Sequence, residues 1–192
     1  RVITSSASRF MFNSSVIALG AIALVLVVAL PAAYASVRFS FRGKETILTL
    51  LLVVSMVPAI AVLVALYAMF IGTGLINSYP LLIWVYTGML SGQAVWFIRS
   101  FIESVPREIE EAAMIDGCSY GQIIMRVVLP LIRPGLAAVA IFVFIFVWND
   151  YLVGTVLTTS ESVRTVQVGL VRYIQTEEGR FWHLFGAYVV LA

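Results

Sequence analysis

Four of the ten acidic residues of this chain, Glu108, Glu110, Glu111 and Asp116, fall within nine positions of the stretch EIEEAAMIDG, residues 108–117. Clustered carboxylates can hold a metal, act as a general acid and base, or pair with cations on another surface. The first two uses need company that the sequence lacks. His183 is the only histidine and Cys118 the only cysteine, so neither a Cys/His metal site nor a Cys–His nucleophile can be assembled. Both residues read as structural. No GxxxxGK[ST] loop is present, so ATP binding by this chain is not expected. The chain reads as a non-enzyme, and the acidic stretch as either a solvated loop or a docking surface.

A second polar cluster, Trp148-Asn149-Asp150-Tyr151, closes an apolar run. An aromatic ring beside hydrogen-bonding side chains suits a sugar, whose C–H surface stacks on the ring while the polar groups hold hydroxyls. Trp and Tyr also gather at membrane interfaces without any ligand, so anchoring or gate packing is the competing use. Gln93 is another candidate for a substrate path, with hydrogen bonding between helices as its commoner role. Gly88 and Gly92 fit GxxxG and predict close helix packing.

The elements that must position these groups are membrane spans. Hydrophobic residues make up 61% of the chain and charged ones 11%, against roughly 25% charged in a soluble domain. A core of this size cannot hide so much apolar surface, and the excess must face lipid. The net charge of +2 does not suggest nucleic acid. Four segments reach the length of about 20 apolar residues that a crossing needs: about 14–34, 47–71 with a kink expected at Pro58, 81–98, and 135–152. A fifth apolar run begins near Phe181 and is cut off at Ala192, which reads as a fragment of a longer protein. The expected architecture is an all-α, polytopic transmembrane bundle.

Arg38, Arg42 and Lys44 lie in the first connection, no charge lies in 72–80, and Arg99, Arg107, Arg126 and Arg133 lie in 99–134. By the positive-inside rule, the first and third connections face the cytoplasm. The third is too long for a plain helix–helix link. Pro106 suits the first turn of a helix that Gly117 would end. Ile109, Ala112 and Ala113 then share a narrow face of small residues. Ser119 and Gln122 predict a capping box opening a second helix, which Pro130 would end. Small alanines allow close approach of a partner, and the carboxylates can pair with its cations. A merely solvated acidic face remains the alternative on these grounds.

Glu111-Ala112-Ala113, Asp116-Gly117 and Leu129-Pro130, with their spacing, resemble the EAA loop of binding-protein-dependent ABC importer permeases. Cys118, Ile124 and Val127 depart from its commonest residues while keeping size or apolar character. The stretches AAYASVRFSFRGK, GLINSYPLLI and FVWNDYL extend the resemblance to the carbohydrate-uptake branch, nearest to maltose-type second permease subunits. The resemblance implies the type I ABC importer permease fold, with this chain covering the second span through half of the sixth. It implies an EAA coupling helix, in which Glu110, Glu111, Ala112, Ala113, Asp116, Gly117, Leu129 and Pro130 serve docking to an ATPase. The implied partners are two ATP-binding subunits, a second permease expected to be a different chain, an extracytoplasmic sugar-binding protein and membrane lipid. ATP and Mg would bind the ATPase subunits, with no cofactor held by this chain. Residues 158–180 would face the binding protein, in the cytoplasmic membrane of a bacterium or archaeon. The implied cargo is a di- or oligosaccharide such as trehalose or maltose. Another small polar solute, or an ion-coupled secondary transporter, is the alternative, although the spans offer almost no midplane ionisable residue.

Overall fold

A computed structural model describes residues 2–176, with side chains described over 7–172. The apolar run from Phe181, His183 and the end of the expected 158–180 loop lie outside the described residues. Every regular element among the described residues is helical: α1 Val2–Arg38, α2 Lys44–Ser55, α3 Ala59–Phe70, α4 Tyr79–Glu103, α5 Arg107–Ile115, α6 Tyr120–Ile123, α7 Leu129–Leu131, α8 Arg133–Asn149, α9 Leu152–Leu157 and α10 Val166–Thr176. Residues Ile124–Val128, between α6 and α7, form a π-helical turn.

Two described helices are each long and apolar enough to cross a membrane, α1 over Ala7–Arg38 and α4. Two further crossings arise if α2 with α3, and Tyr120–Leu131 with α8, each count as one broken span. The segment expected over 47–71 as one kinked helix is therefore two helices. Pro58 is the N-cap of α3, with extended backbone at φ −56° and ψ 122°. Its ring removes a backbone donor and disfavours helical geometry at the preceding residue, so the break falls at 56–58. Pro31, by contrast, lies inside α1 without ending it.

The described residues fold as two compact units, 2–22 with 57–87 and 144–176, and 23–56 with 88–143. In the first, one buried amide organises the connection before α10. Asn13 donates from Nδ2 to the carbonyls of Ser162 at 3.0 Å and Arg164 at 2.8 Å. Tyr79 orients it by donating to Asn13 Oδ1 at 2.7 Å, and Ser14 Oγ accepts from Val166 N at 3.0 Å. These bonds let polar backbone cross an apolar helix surface without stranding its carbonyls.

In the second unit α4 packs so closely on α2 that a Cβ at Gly92 would sit 2.6 Å from the Leu51 carbonyl oxygen and 2.8 Å from Ser55 Oγ. Trp96 Nε1 donates to the Leu48 carbonyl at 3.1 Å along the same contact. Gly135, at the start of α8, is filled over by the Phe101 ring. Gly88 has nothing within 4 Å, so only the second glycine of the GxxxG makes a close approach.

Gly92→Ala should therefore lower stability by about 1–3 kcal/mol through overpacking. Gly88→Ala should leave it unchanged or raise it by up to about 1 kcal/mol, the helix-propensity gain. Thermal unfolding of the purified protein in detergent reads both; equal losses would contradict the assigned contact.

Candidate functional site

The acidic stretch is α5 and its C-terminal turn. Pro106 is the N-cap, with Arg107 the first helical residue and Glu108 and Glu110 in the first turn, where the helix dipole favours negative charge. Asp116 is the C-cap, and Gly117 follows at φ +83°, a left-handed conformation that side chains rarely adopt. Cys118 N bonds to the Ala113 carbonyl and Gly117 N to that of Met114, each at 3.0 Å. This is the Schellman arrangement that satisfies the last carbonyls of a helix.

Ser119 starts the return helix with a capping box. Its Oγ accepts from Gln122 N at 3.4 Å, and its own N–H donates to Gln122 Oε1 at 2.8 Å. The helix expected to end at Pro130 stops one residue beyond it, at Leu131, so the proline is taken into its last turn. The physical reason sits one turn earlier. At Leu129, where an α-helix would bond i→i−4, the N–H reaches five residues back to Ile124. Such a π-type widening gives the proline ring room where a regular turn would clash with it. The helical path then bends by 80° into α8.

α5 has two distinct faces. Glu111 and Ala112 are exposed, Ala113 is half-buried, and Ile115 is 87% exposed beside exposed Ile109 and Met114. The face offered outward thus combines small and apolar residues with two exposed carboxylates, Glu108 and Glu111. Glu110 is turned the other way and is only 3% exposed. The expectation that it pairs with a partner's cation is corrected by its internal contacts. Arg38, the last residue of α1, bonds to Glu110 Oε1 through Nε at 2.8 Å and Nη2 at 2.6 Å. Tyr34 Oη donates to Glu110 Oε2 at 2.8 Å.

Arg38 Nη2 also donates to the carbonyls of Ile102 at 3.2 Å and Val105 at 2.9 Å, at the C-terminal end of α4. A cation is favourable where helix carbonyls lack partners. Arg107 Nη2 returns a bond to the Val37 carbonyl at 3.2 Å, and the Phe39 ring packs edge-on against both Tyr34 and Tyr120. Removing one partner of such a buried pair leaves an uncompensated charge, at a cost of about 3–5 kcal/mol. Neither Arg38 nor Tyr34 was identifiable as a site residue from local spacing. The one available signal was an arginine ending an apolar helix.

The other candidates are placed as follows. Trp148 stacks on Phe144 with ring centroids 5.1 Å apart. Asn149 Nδ2 donates to the Ile145 carbonyl at 2.8 Å, one turn back along its own helix. Asp150 Oδ2 accepts from Tyr86 Oη at 3.0 Å and from Val153 N, in the first turn of α9, at 2.8 Å. Its side chain thereby caps the first turn of α9, and the end of α8 is fixed to the start of α9. Tyr151 is half-buried immediately before α9. Gln93, in the other unit, is half-buried within α4, and its amide bonds to no described residue. No group of three or more metal-ligating side chains occurs among the described residues.

Apolar crossings interrupted by a capped helix–turn–helix define a polytopic helical membrane protein with the type I ABC importer permease fold. The chain belongs to the family described as binding-protein-dependent transport system inner membrane component, whose profile matches residues 25–192. It is 35% identical over 185 residues to the sulfoquinovosyl glycerol transport system permease protein SmoH of Agrobacterium fabrum, covering 95% of this chain and 64% of that protein. To the maltodextrin transport system permease protein MdxG of Bacillus subtilis it is 34% identical over 180 residues, covering 94% of this chain and 65% of that one. The trehalose transport system permease protein SugB of Mycobacterium tuberculosis is 33% identical over 166 residues, covering 86% and 61% respectively. The chain therefore spans just under two thirds of these relatives' lengths. A crystal structure of a bacterial ABC transporter involved in import of the acidic polysaccharide alginate shares the fold, with a TM-score of 0.82 at 22% identity, over 97% of this chain and 70% of that one.

The left-handed Gly117 gives a local prediction. Gly117→Val should open the turn by about 1–2 kcal/mol, or about 5–30-fold in local opening. Gly117→Asn should stay near wild type, since Asn tolerates this conformation. Limited proteolysis within 107–132 measures this, and equal cleavage of all three proteins would contradict it.

Proposed function

We propose that this chain is the membrane-spanning, non-catalytic permease subunit of an ATP-driven importer that moves a sugar across the cytoplasmic membrane. The observation that carries the reading is the outward face of α5. It is a short, rigidly capped helix whose Glu111, Ala112 and Ile115 are exposed while its opposite face is anchored to α1. An apolar, small-residue surface ending in an 87%-exposed isoleucine calls for a protein cover. A cleft in a cytoplasmic ATP-binding subunit fits it, with Ala112 and Ala113 allowing close approach and Glu111 pairing with a cation. Gly117 and Asp116 fix the turn, while Leu129 and Pro130 set the return path.

Two such ATPases would hold the ATP and Mg. A second permease subunit, a different chain, would complete the pathway, and an extracytoplasmic binding protein would deliver the solute near 158–180. ATP binding would close the ATPases, carry the hairpins with them and switch the spans between inward- and outward-open states. Contacts that differ between those states supply the driving free energy. The sugar class rests on relatives named for sulfoquinovosyl glycerol, maltodextrin and trehalose transport. A di- or oligosaccharide such as maltose or trehalose is the proposed cargo.

Gln93, half-buried within α4, is kept as a proposed substrate-path residue. Asn149 and Asp150 are engaged within the chain and Trp148 is stacked, so these three, with Tyr151, shape a wall more than they grip a sugar.

The test is purification of the full-length protein with its partners. An ATP-binding subunit should co-purify, and a sugar-loaded binding protein should stimulate ATP hydrolysis. Glu111→Ala should weaken retention of the ATPase about 10–100-fold, the worth of a charged hydrogen bond, with membrane insertion intact. Unaltered ATPase retention and uptake in this variant would overturn the docking role.

A further inference from the structure

We infer that Arg38 and Glu110 are positioning residues that carry the movement of α5 into the C-terminal ends of α1 and α4. The inference rests on the importer reading above and assigns Glu110 a use distinct from docking. A carboxylate 3% exposed, with one oxygen on a guanidinium and the other on a tyrosine hydroxyl, has no free face for an ATPase. What it does have is reach. The pair joins positions separated by 72 residues.

Three features make the joint stiff in the direction that matters. The guanidinium is shared: it bonds the α5 carboxylate and two carbonyls at the end of α4, so α5 cannot shift against α1 without also disturbing α4. The connection is reciprocal, because Arg107 at the start of α5 bonds the Val37 carbonyl. The second helix of the hairpin is tied to the same point, through Phe39 packed between Tyr34 and Tyr120. Both charged side chains are nearly sealed from solvent, at 9% and 4% exposure. Sliding them apart would bury two unpaired charges, so the hairpin and the α1 end move together. Arg38 is needed in its own place, since a carboxylate there would face the α4 carbonyls. Exchanging the two residues would not restore the joint.

The experiment uses the assembled complex of the full-length chain with its ATP-binding subunits. Amide hydrogen exchange is followed over 34–38 and 107–115, with and without ATP. The variants are Glu110→Gln, Arg38→Met and Arg38→Lys. In the wild type, ATP should change exchange in both segments. In Glu110→Gln and Arg38→Met the ATPase should remain bound and 107–115 should still respond, while the response at 34–38 falls about fivefold or more. Arg38→Lys, which keeps the charge with fewer aligned donors, should fall in between. An unchanged response at 34–38 in both uncharged variants would overturn the inference. Selective loss of the ATPase from Glu110→Gln would also overturn it, by returning Glu110 to a docking role. A wild-type preparation that retains no ATPase would overturn the importer reading itself, and the inference with it.

Discussion

A single buried ion pair ties the hairpin to the end of α1. With Arg38 and Glu110 joined at 2.6 Å, the opposite side of α5 faces solution. That side carries the exposed carboxylates Glu108 and Glu111 and the exposed apolar residues. The pair is costly to bury, and its return is geometric more than energetic, since it fixes which face of a nine-residue helix points inward. A helix this short gains little from its own backbone bonds. Its position therefore depends on the caps at its two ends and on this anchor.

The same economy of polar groups runs through the first unit. Asn13 satisfies two loop carbonyls, and Asp150 meets the first turn of α9 and the Tyr86 hydroxyl. In a low-dielectric setting each polar side chain must find a partner, and these find theirs inside the chain.

What could be read from residues alone was local. The Gly117 turn and the Ser119–Gln122 box are set by chemistry within four residues, and both are present. The helical class followed from long apolar runs, and membership of the permease family is carried by residues 25–192. Glu110 could not be separated from Glu111 by type or charge, because its fate depends on an arginine 72 positions earlier. Pro58 divides a helix where a kink was expected, and Pro130 enters the last turn of a helix that stops one residue later, after a π-turn makes room for its ring. Neither outcome is visible in the proline itself, because each depends on whether neighbouring backbone can rearrange to replace the missing donor.

Helix α5 is divided: one face is anchored to α1, and the other is the face proposed to be covered by an ATP-binding subunit. The most direct test of this division is a cysteine scan of positions 108–115 in the full-length chain, with Cys118→Ala to remove the native thiol. Maleimide labelling is then measured in membranes with and without the ATP-binding subunits. Positions 111, 112 and 115 should label readily alone and become protected when the ATPase is present, while position 110 should stay unreactive in both. Labelling at 111, 112 and 115 that is indifferent to the ATPase, or free labelling at 110, would contradict the division.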